Sequence, residues 1–173
     1  MSYYLLAETV QPCSKADIFD RKAMQYAAIL TTPEWERERE SFDMGIELDL
    51  DARDIHNTKA EVNFDSLTGT FQIPDRENLK ANEFCFAFAL DEKGIVFIDD
   101  GGRIDDVLVF IASPKKWRMP SLERFLYDFL EQIIDGDLAM LDQMEQTLDK
   151  MEERILADAS EEDFAWLNHI RGN

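Results

Sequence analysis

Residues 83–98 read Glu-Phe-Cys-Phe-Ala-Phe-Ala-Leu, then Asp-Glu-Lys-Gly, then Ile-Val-Phe-Ile. In the first segment aromatic side chains alternate with small ones, a period of two that is typical of a strand with two different faces. The polar segment ends on Gly94, and glycine suits a turn that needs a positive φ. The stretch therefore predicts a β-hairpin over residues 84–98.

Further strands and helices are predicted outward from this hairpin. Strands are predicted over residues 3–8, 26–30, 59–64 and 68–73, and short helices over 33–42, 48–55 and 104–112. A threonine cap, Pro33 and Glu34 form a typical helix start for residues 33–42. The valines of residues 104–112 are also compatible with a strand, so this alternative stays open for that segment. We expect an α+β fold, an α/β/α sandwich with a mixed, mainly antiparallel sheet.

The longest predicted element is an acidic helix over residues 121–156, which contains no proline. Its apolar residues recur at a spacing near 3.5, as in a coiled coil, and Gly136 is its weak point. Some 36 residues span roughly 54 Å, more than the roughly 40 Å of a compact globule. We therefore expect a helical hairpin whose returning arm begins near Ala159, and a division into residues 1–120 and 121–173.

Composition narrows the possible functions. The chain has 173 residues, 45% of them hydrophobic, and a net charge of −19. This charge disfavours binding to nucleic acid or to anionic lipid. Two cysteines exclude a disulfide framework and a four-cysteine zinc site. Neither a signal peptide nor an apolar run of about 20 residues is visible, so we expect a cytosolic location.

Catalytic motifs are not found. His56 and His169 form no metal-binding pair, and no nucleophile elbow, Walker loop or dinucleotide fingerprint occurs. We therefore expect a protein that is not an enzyme.

Carboxylates offer a better chemical hypothesis, since Mg²⁺ and Ca²⁺ prefer oxygen ligands. One group is Asp49, Asp51 and Asp54, and a second is Asp135 and Asp137 with Asp128 and Glu131 one to two turns before them. A third group, at residues 99–100 and 105–106, is interpreted as turn residues. Acids on an outer helix face are also commonly just solvated, and this simpler reading remains open.

Three stretches, at residues 129–135, 141–145 and 148–156, resemble the acidic helix of CorA-type (CorA/ZntB-like) divalent-cation transporters. Residues 32–35, 54–62 and 69–74 are similar to that family's early helix, acidic passage and strand. The resemblance covers residues 33–173. The family's Gly-Met-Asn signature and its membrane helices do not occur in this sequence, and Arg53 and Gly136 stand where acids are usual.

The resemblance implies the N-terminal cytosolic domain of a longer membrane transporter, at the cytoplasmic face. It implies regulatory Mg²⁺, or another divalent cation, bound between the subunits of a pentamer. Asp54 and Asp135 match family positions, and Asp51 and Asp137 lie beside them. Without stalk and membrane helices we expect a monomer or weak oligomer with no membrane contact of its own.

Two other classes stay open: a soluble acidic protein-interaction module, and an acidic enzyme of unrecognised type. Two apolar stretches of about 20 residues encoded after Asn173 would favour the transporter.

Overall fold

The computed structural model describes residues 1–20, 24–44, 57–75, 82–113 and 117–158. Within them the strands are β1 (Ser2–Leu6), β2 (Val10–Cys13), β3 (Tyr26–Leu30), β4 (Lys59–Val62), β5 (Leu67–Pro74), β6 (Asn82–Leu90) and β7 (Gly94–Ile98). The helices are α1 (Lys15–Asp20), α2 (Thr32–Phe42), α3 (Arg103–Ala112), α4 (Leu122–Ile133) and α5 (Asp137–Asp158).

The strands form one sheet in the order β2-β1-β3-β7-β6-β5-β4. Only the central pair, β3 with β7, is parallel, while the other five pairs are antiparallel. Both strands of this pair are buried along their whole length, as is typical of parallel strands. The predicted mixed, mainly antiparallel sheet is confirmed.

Helices cover both faces of this sheet, so the predicted α/β/α sandwich is also confirmed. On one face Trp35 and Phe42 of α2 pack against small residues that include Ala87 and Ala89. On the other, α3 and α4 pack against aromatic residues that include Phe86. The sequence alternation in β6 thus separates a face of small side chains from a face of large ones, and each face accepts its own helices.

The long helix predicted over residues 121–156 is wrong as a single element, because it is two helices. Ser121 caps α4 by accepting a hydrogen bond from the Arg124 backbone N–H at 3.2 Å. The chain then turns at residues 134–136, where Gly136 has a φ of 85°. A residue with a side chain rarely adopts that conformation. The returning arm from Ala159 and the helix predicted at 48–55 lie outside the described residues.

Two elements were not predicted, β2 and α1, and both are short. Val62 and Phe64 alternate with polar residues in the predicted strand 59–64, but Val62 is 83% exposed and Phe64 97% exposed. All four residues of β4 are exposed. This strand lies at one edge of the sheet, so its alternation does not correspond to a buried face.

Candidate functional site

The carboxylates that follow β7 hold the fold together. Asp99 is buried and accepts backbone N–H groups from Gly101, Gly102 and Ile104 at 2.8 to 3.1 Å. Asp100 accepts the backbone N–H and the hydroxyl of Thr32 at 2.7 and 2.8 Å. These bonds satisfy the first donors of α3 and α2, and the interpretation of both acids as turn residues agrees with them.

The interpretation of residues 105–106 as turn residues is wrong, because both lie in the first turn of α3. Asp105 has a role there similar to that of Asp99. The hydroxyl of Tyr4 donates to its Oδ1 at 2.8 Å, and Ser2 Oγ donates to its Oδ2 at 3.3 Å. Burial raises the pKa of Tyr4 to about 12, and the hydrogen bond to Asp105 adds to this rise. The contact ties the first strand of the sheet to α3.

Asp128 was grouped with the possible ligands of the second carboxylate cluster, but the structure gives it another role. Its side chain is buried, accepts the Trp117 indole N–H at 2.7 Å and pairs with the Arg124 guanidinium at 2.9 Å. A carboxylate whose oxygens already serve an indole and a guanidinium is a poor metal ligand. The grouping of Asp128 with Asp135 is therefore corrected.

Asp135 and Asp137 flank Gly136 in the turn between α4 and α5. Asp135 is exposed and Asp137 is half-buried. Asp135 lines a recess of about 400 Å³ together with Asp106, Gln132 and Arg103. Sequence reasoning missed Asp106 as a neighbour, because it lies on α3 and only the packing of α3 against α4 brings the two carboxylates to one recess.

The described side chains of this recess do not form a dry metal cage. In the part of the chain that the structure describes, no three histidine, cysteine or acidic side chains converge on one point. Mg²⁺ commonly keeps several waters and uses only one or two carboxylates, which Asp106 and Asp135 could supply. Arg103 lines the same recess, and its charge opposes a cation there. Asp51 and Asp54 lie outside the described residues.

An apolar stripe of exposed side chains recurs at helical spacing along α4, the turn after it and α5. Its members, spaced by three, four or seven residues, are Tyr127, Leu130, Ile134, Leu138, Leu141 and Leu148, between 38% and 78% exposed. Leu138, Leu141 and Leu148 belong to the apolar repeat that the sequence predicts for this stretch. Groups of exposed apolar residues commonly mark a contact surface, so α5 is a candidate interface.

An apolar cavity of about 470 Å³ lies between α4 and the strands β4 to β7. Its floor includes Phe71, which stacks on Phe86 with ring centroids 5.2 Å apart. The Phe88 ring lies over Gly69, where an added Cβ would come within 2.6 Å of it. Sequence reasoning missed this cavity, and the glycine inside a strand was the available signal.

Solved structures with a similar fold were found. The structure titled as the complete CorA magnesium transporter from Methanocaldococcus jannaschii matches 99% of this chain with a TM-score of 0.60 and 14% identity. The soluble domain of CorA from the same organism matches 98% with a TM-score of 0.58 and 17% identity. The chain has the fold of the CorA soluble domain.

The structure of the full-length CmaX protein also matches 92% of the chain, at a TM-score of 0.58 and 13% identity. The chain spans 56% of the complete CorA structure, 52% of CmaX and 70% of the CorA soluble domain. No family model and no curated protein matches the sequence. Among the described helices, none has the length and apolarity needed to cross a bilayer.

Proposed function

We propose that this chain is the cytosolic regulatory domain of a CorA-like divalent-cation transporter, and that it performs no catalysis. The observation that carries the proposal is the likeness to the CorA magnesium transporter along 99% of the chain. The complete CorA structure is longer than this chain, so transport itself would need parts that residues 1–173 do not supply.

The regulatory step follows from charge. A net charge of −19 per chain makes neighbouring copies repel one another, and a divalent cation shared between carboxylates relieves that repulsion. Asp135 supplies one carboxylate, at an exposed turn of one copy. Asp54 supplies the second carboxylate, from another copy. Asp137 and Asp51 are their respective neighbours in the sequence. Bound Mg²⁺ then favours the associated state, and its loss favours separation.

A melting experiment with Mg²⁺ tests this proposal. At ten times its dissociation constant the ion adds about 1.4 kcal/mol to the free energy of unfolding, which raises the melting temperature by about 3–6 °C for a domain of this size. Because any salt screens acidic repulsion, the comparison is NaCl at matched ionic strength. Mg²⁺ should raise the melting temperature beyond that control.

Substitutions then locate the effect. The double variant Asp54→Asn with Asp135→Asn should lose the excess stabilisation by Mg²⁺. The matched control is Asp142→Asn with Asp149→Asn, which removes the same charge from exposed positions of α5 and should keep the excess. Equal responses to both salts, or an equal loss in both double variants, would leave only a solvated acidic surface.

A second candidate function is a soluble protein-interaction module. The exposed apolar stripe beside an acidic surface favours it, because such a surface suits a basic amphipathic partner. This alternative is favoured if Mg²⁺ raises the melting temperature no more than NaCl does.

A further inference from the structure

The sheet has two edges, and they differ in how open they are. At the β2 edge Pro12 has no N–H to offer, and just before this strand the Glu8 carbonyl accepts the Trp117 backbone N–H. At the β4 edge all four residues, Lys59 to Val62, are exposed. An exposed edge strand presents unpaired backbone groups on which another strand can form.

The hydrogen-bond pattern tells which backbone groups point outward from β4. The Asn63 N–H donates to the Ser66 carbonyl at 2.8 Å, so this pair is a bonded one. Bonded and non-bonded pairs alternate along an antiparallel ladder. The register pairs Val62 with Leu67, so the bonded pairs next to that of Asn63 are those of Glu61 and Lys59. The backbone N–H and C=O groups of these two residues bond to β5. Those of Ala60 and Val62 point to the open edge.

This edge is complementary to itself. If two copies of β4 pair antiparallel about a two-fold axis at Ala60, each Lys59 lies opposite Glu61 of the other copy. Ala60 then forms the bonded pair on the axis, and the lysine and glutamate form non-bonded pairs, in which side chains are closest. A register shifted to an axis at residue 59 or residue 61 would place like charges opposite each other.

Apolar side chains lie on the other face of the same edge. Ala60 and Val62 pair with Gly69 and Leu67, so they share the face that holds the apolar cavity. In the pairing about Ala60, Val62 of the second copy lies opposite Thr58, which lines that cavity. Association would therefore shield Val62, now 83% exposed, at the rim of the cavity.

We propose that β4 is a homodimerisation edge, on which the occupant is β4 of a second copy in the register centred on Ala60. The interface is short, so the dimer is weak and forms at high protein concentration. This pairing rests on the edge strand alone and does not depend on the transporter role or on a bound cation.

Sedimentation equilibrium of the full chain in chelator and 0.15 M NaCl, up to millimolar protein, tests the proposal. The wild-type protein should show a monomer–dimer equilibrium. Lys59→Glu puts glutamate opposite glutamate in both symmetric pairs and should weaken the dimer by about tenfold. The exchange Lys59→Glu with Glu61→Lys restores both opposite-charge pairs at the original net charge and should restore the dimer.

The matched control is Lys150→Glu, which makes the same charge change at an exposed position of α5 and should weaken the dimer much less. The double variant Lys59→Cys with Glu61→Cys gives a second measurement, because the Cα atoms of a non-bonded antiparallel pair lie about 4.5 Å apart with their side chains close together, within reach of a disulfide. This variant should form a covalent dimer under mild oxidation, while the wild-type protein, which keeps Cys13 and Cys85, should not.

Circular dichroism and melting of each variant show that the fold is kept. A wild-type chain that stays monomeric at millimolar concentration would overturn the proposal. So would an exchange variant that fails to dimerise, a Lys150→Glu variant as weak as Lys59→Glu, or a double-cysteine variant that does not cross-link.

Discussion

At the scale of single residues, the acidic side chains of this protein divide into those that hold the fold and those that face water. Asp99 and Asp128 are buried and serve N–H donors, whereas Asp135 is exposed. The two groups have the same chemistry and similar neighbours in the sequence. Burial and hydrogen-bond partners alone distinguish them.

Asp128→Ala should destabilise the protein, because the buried Trp117 indole N–H would lose its acceptor. An unsatisfied buried donor costs about 1–3 kcal/mol, measured as a lower free energy of unfolding in urea. Asp128→Asn keeps an acceptor oxygen and should lose less. Asp135→Ala, at an exposed turn, should change the free energy of unfolding by less than about 0.5 kcal/mol. Similar losses for Asp128→Ala and Asp135→Ala would contradict the division made above.

The sequence could not make this division at residue level. Helical spacing identifies which acids of residues 128–137 lie one or two turns apart, but it does not tell which one faces the sheet. The partner of Asp128, Trp117, comes before the helix and is separated from it by a proline and a cap. Asp106 and Asp135 likewise meet only through the packing of α3 on α4.

At the scale of elements, the turn between α4 and α5 is where local conformation overrides periodicity. The apolar spacing runs through residues 133–138 without interruption, and it predicts a continuous helix. The positive φ of Gly136 ends α4 instead, and the Met140 backbone N–H donates to the Gly136 carbonyl at 3.0 Å in the first turn of α5. The direction of α5 is therefore set at Gly136.

Gly136→Ala should destabilise this turn, because a left-handed conformation costs a residue with a Cβ about 1–2 kcal/mol. Gly136→Asn should cost less, since asparagine tolerates that region better. Thermal melting of both variants measures the difference. A higher melting temperature for the alanine variant would mean that the two helices join into one at no cost, contrary to the structure described here.

Elements with a clear apolar pattern were predictable from the sequence, and short elements without such a pattern were not. The strands β3, β5, β6 and β7 follow from apolar runs bounded by turn residues. The strand β2 has four residues and contains a proline, and α1 has six residues, so neither carries a clear period. Their positions are decided by pairing with β1 and by packing on the sheet.

At the scale of the whole molecule, the dominant quantity is the net charge of −19. Like-charged subunits repel over roughly 30 Å at 0.01 M salt but only about 10 Å at 0.1 M. Assembly of this chain should therefore depend on ionic strength as well as on surface complementarity. The same charge is the reason why the sequence disfavours nucleic acid as a partner.

The chain should sediment as a monomer in chelator at 0.01 M salt and should associate weakly as NaCl is raised to 0.15 M. Screening lowers the long-range repulsion more than it weakens the close Lys59–Glu61 pairs. Tetramethylammonium chloride should act like NaCl, because screening does not depend on which monovalent cation is used. A tight pentamer at low salt in chelator would contradict this expectation.

The central parallel pair also has a consequence for how the protein is made. The meander β4 to β7 joins strands that are neighbours in sequence. The strand β3, in contrast, can pair with β7 only after the three intervening strands have been synthesised. Contacts between distant segments form late because a long loop must close first. During synthesis on the ribosome β3, buried along its whole length in the finished sheet, leaves the exit tunnel long before its partner exists. While residues 31–94 are synthesised, β3 can pair with β1 but its other edge has no partner, and this interval is when misassembly and chaperone binding are favoured.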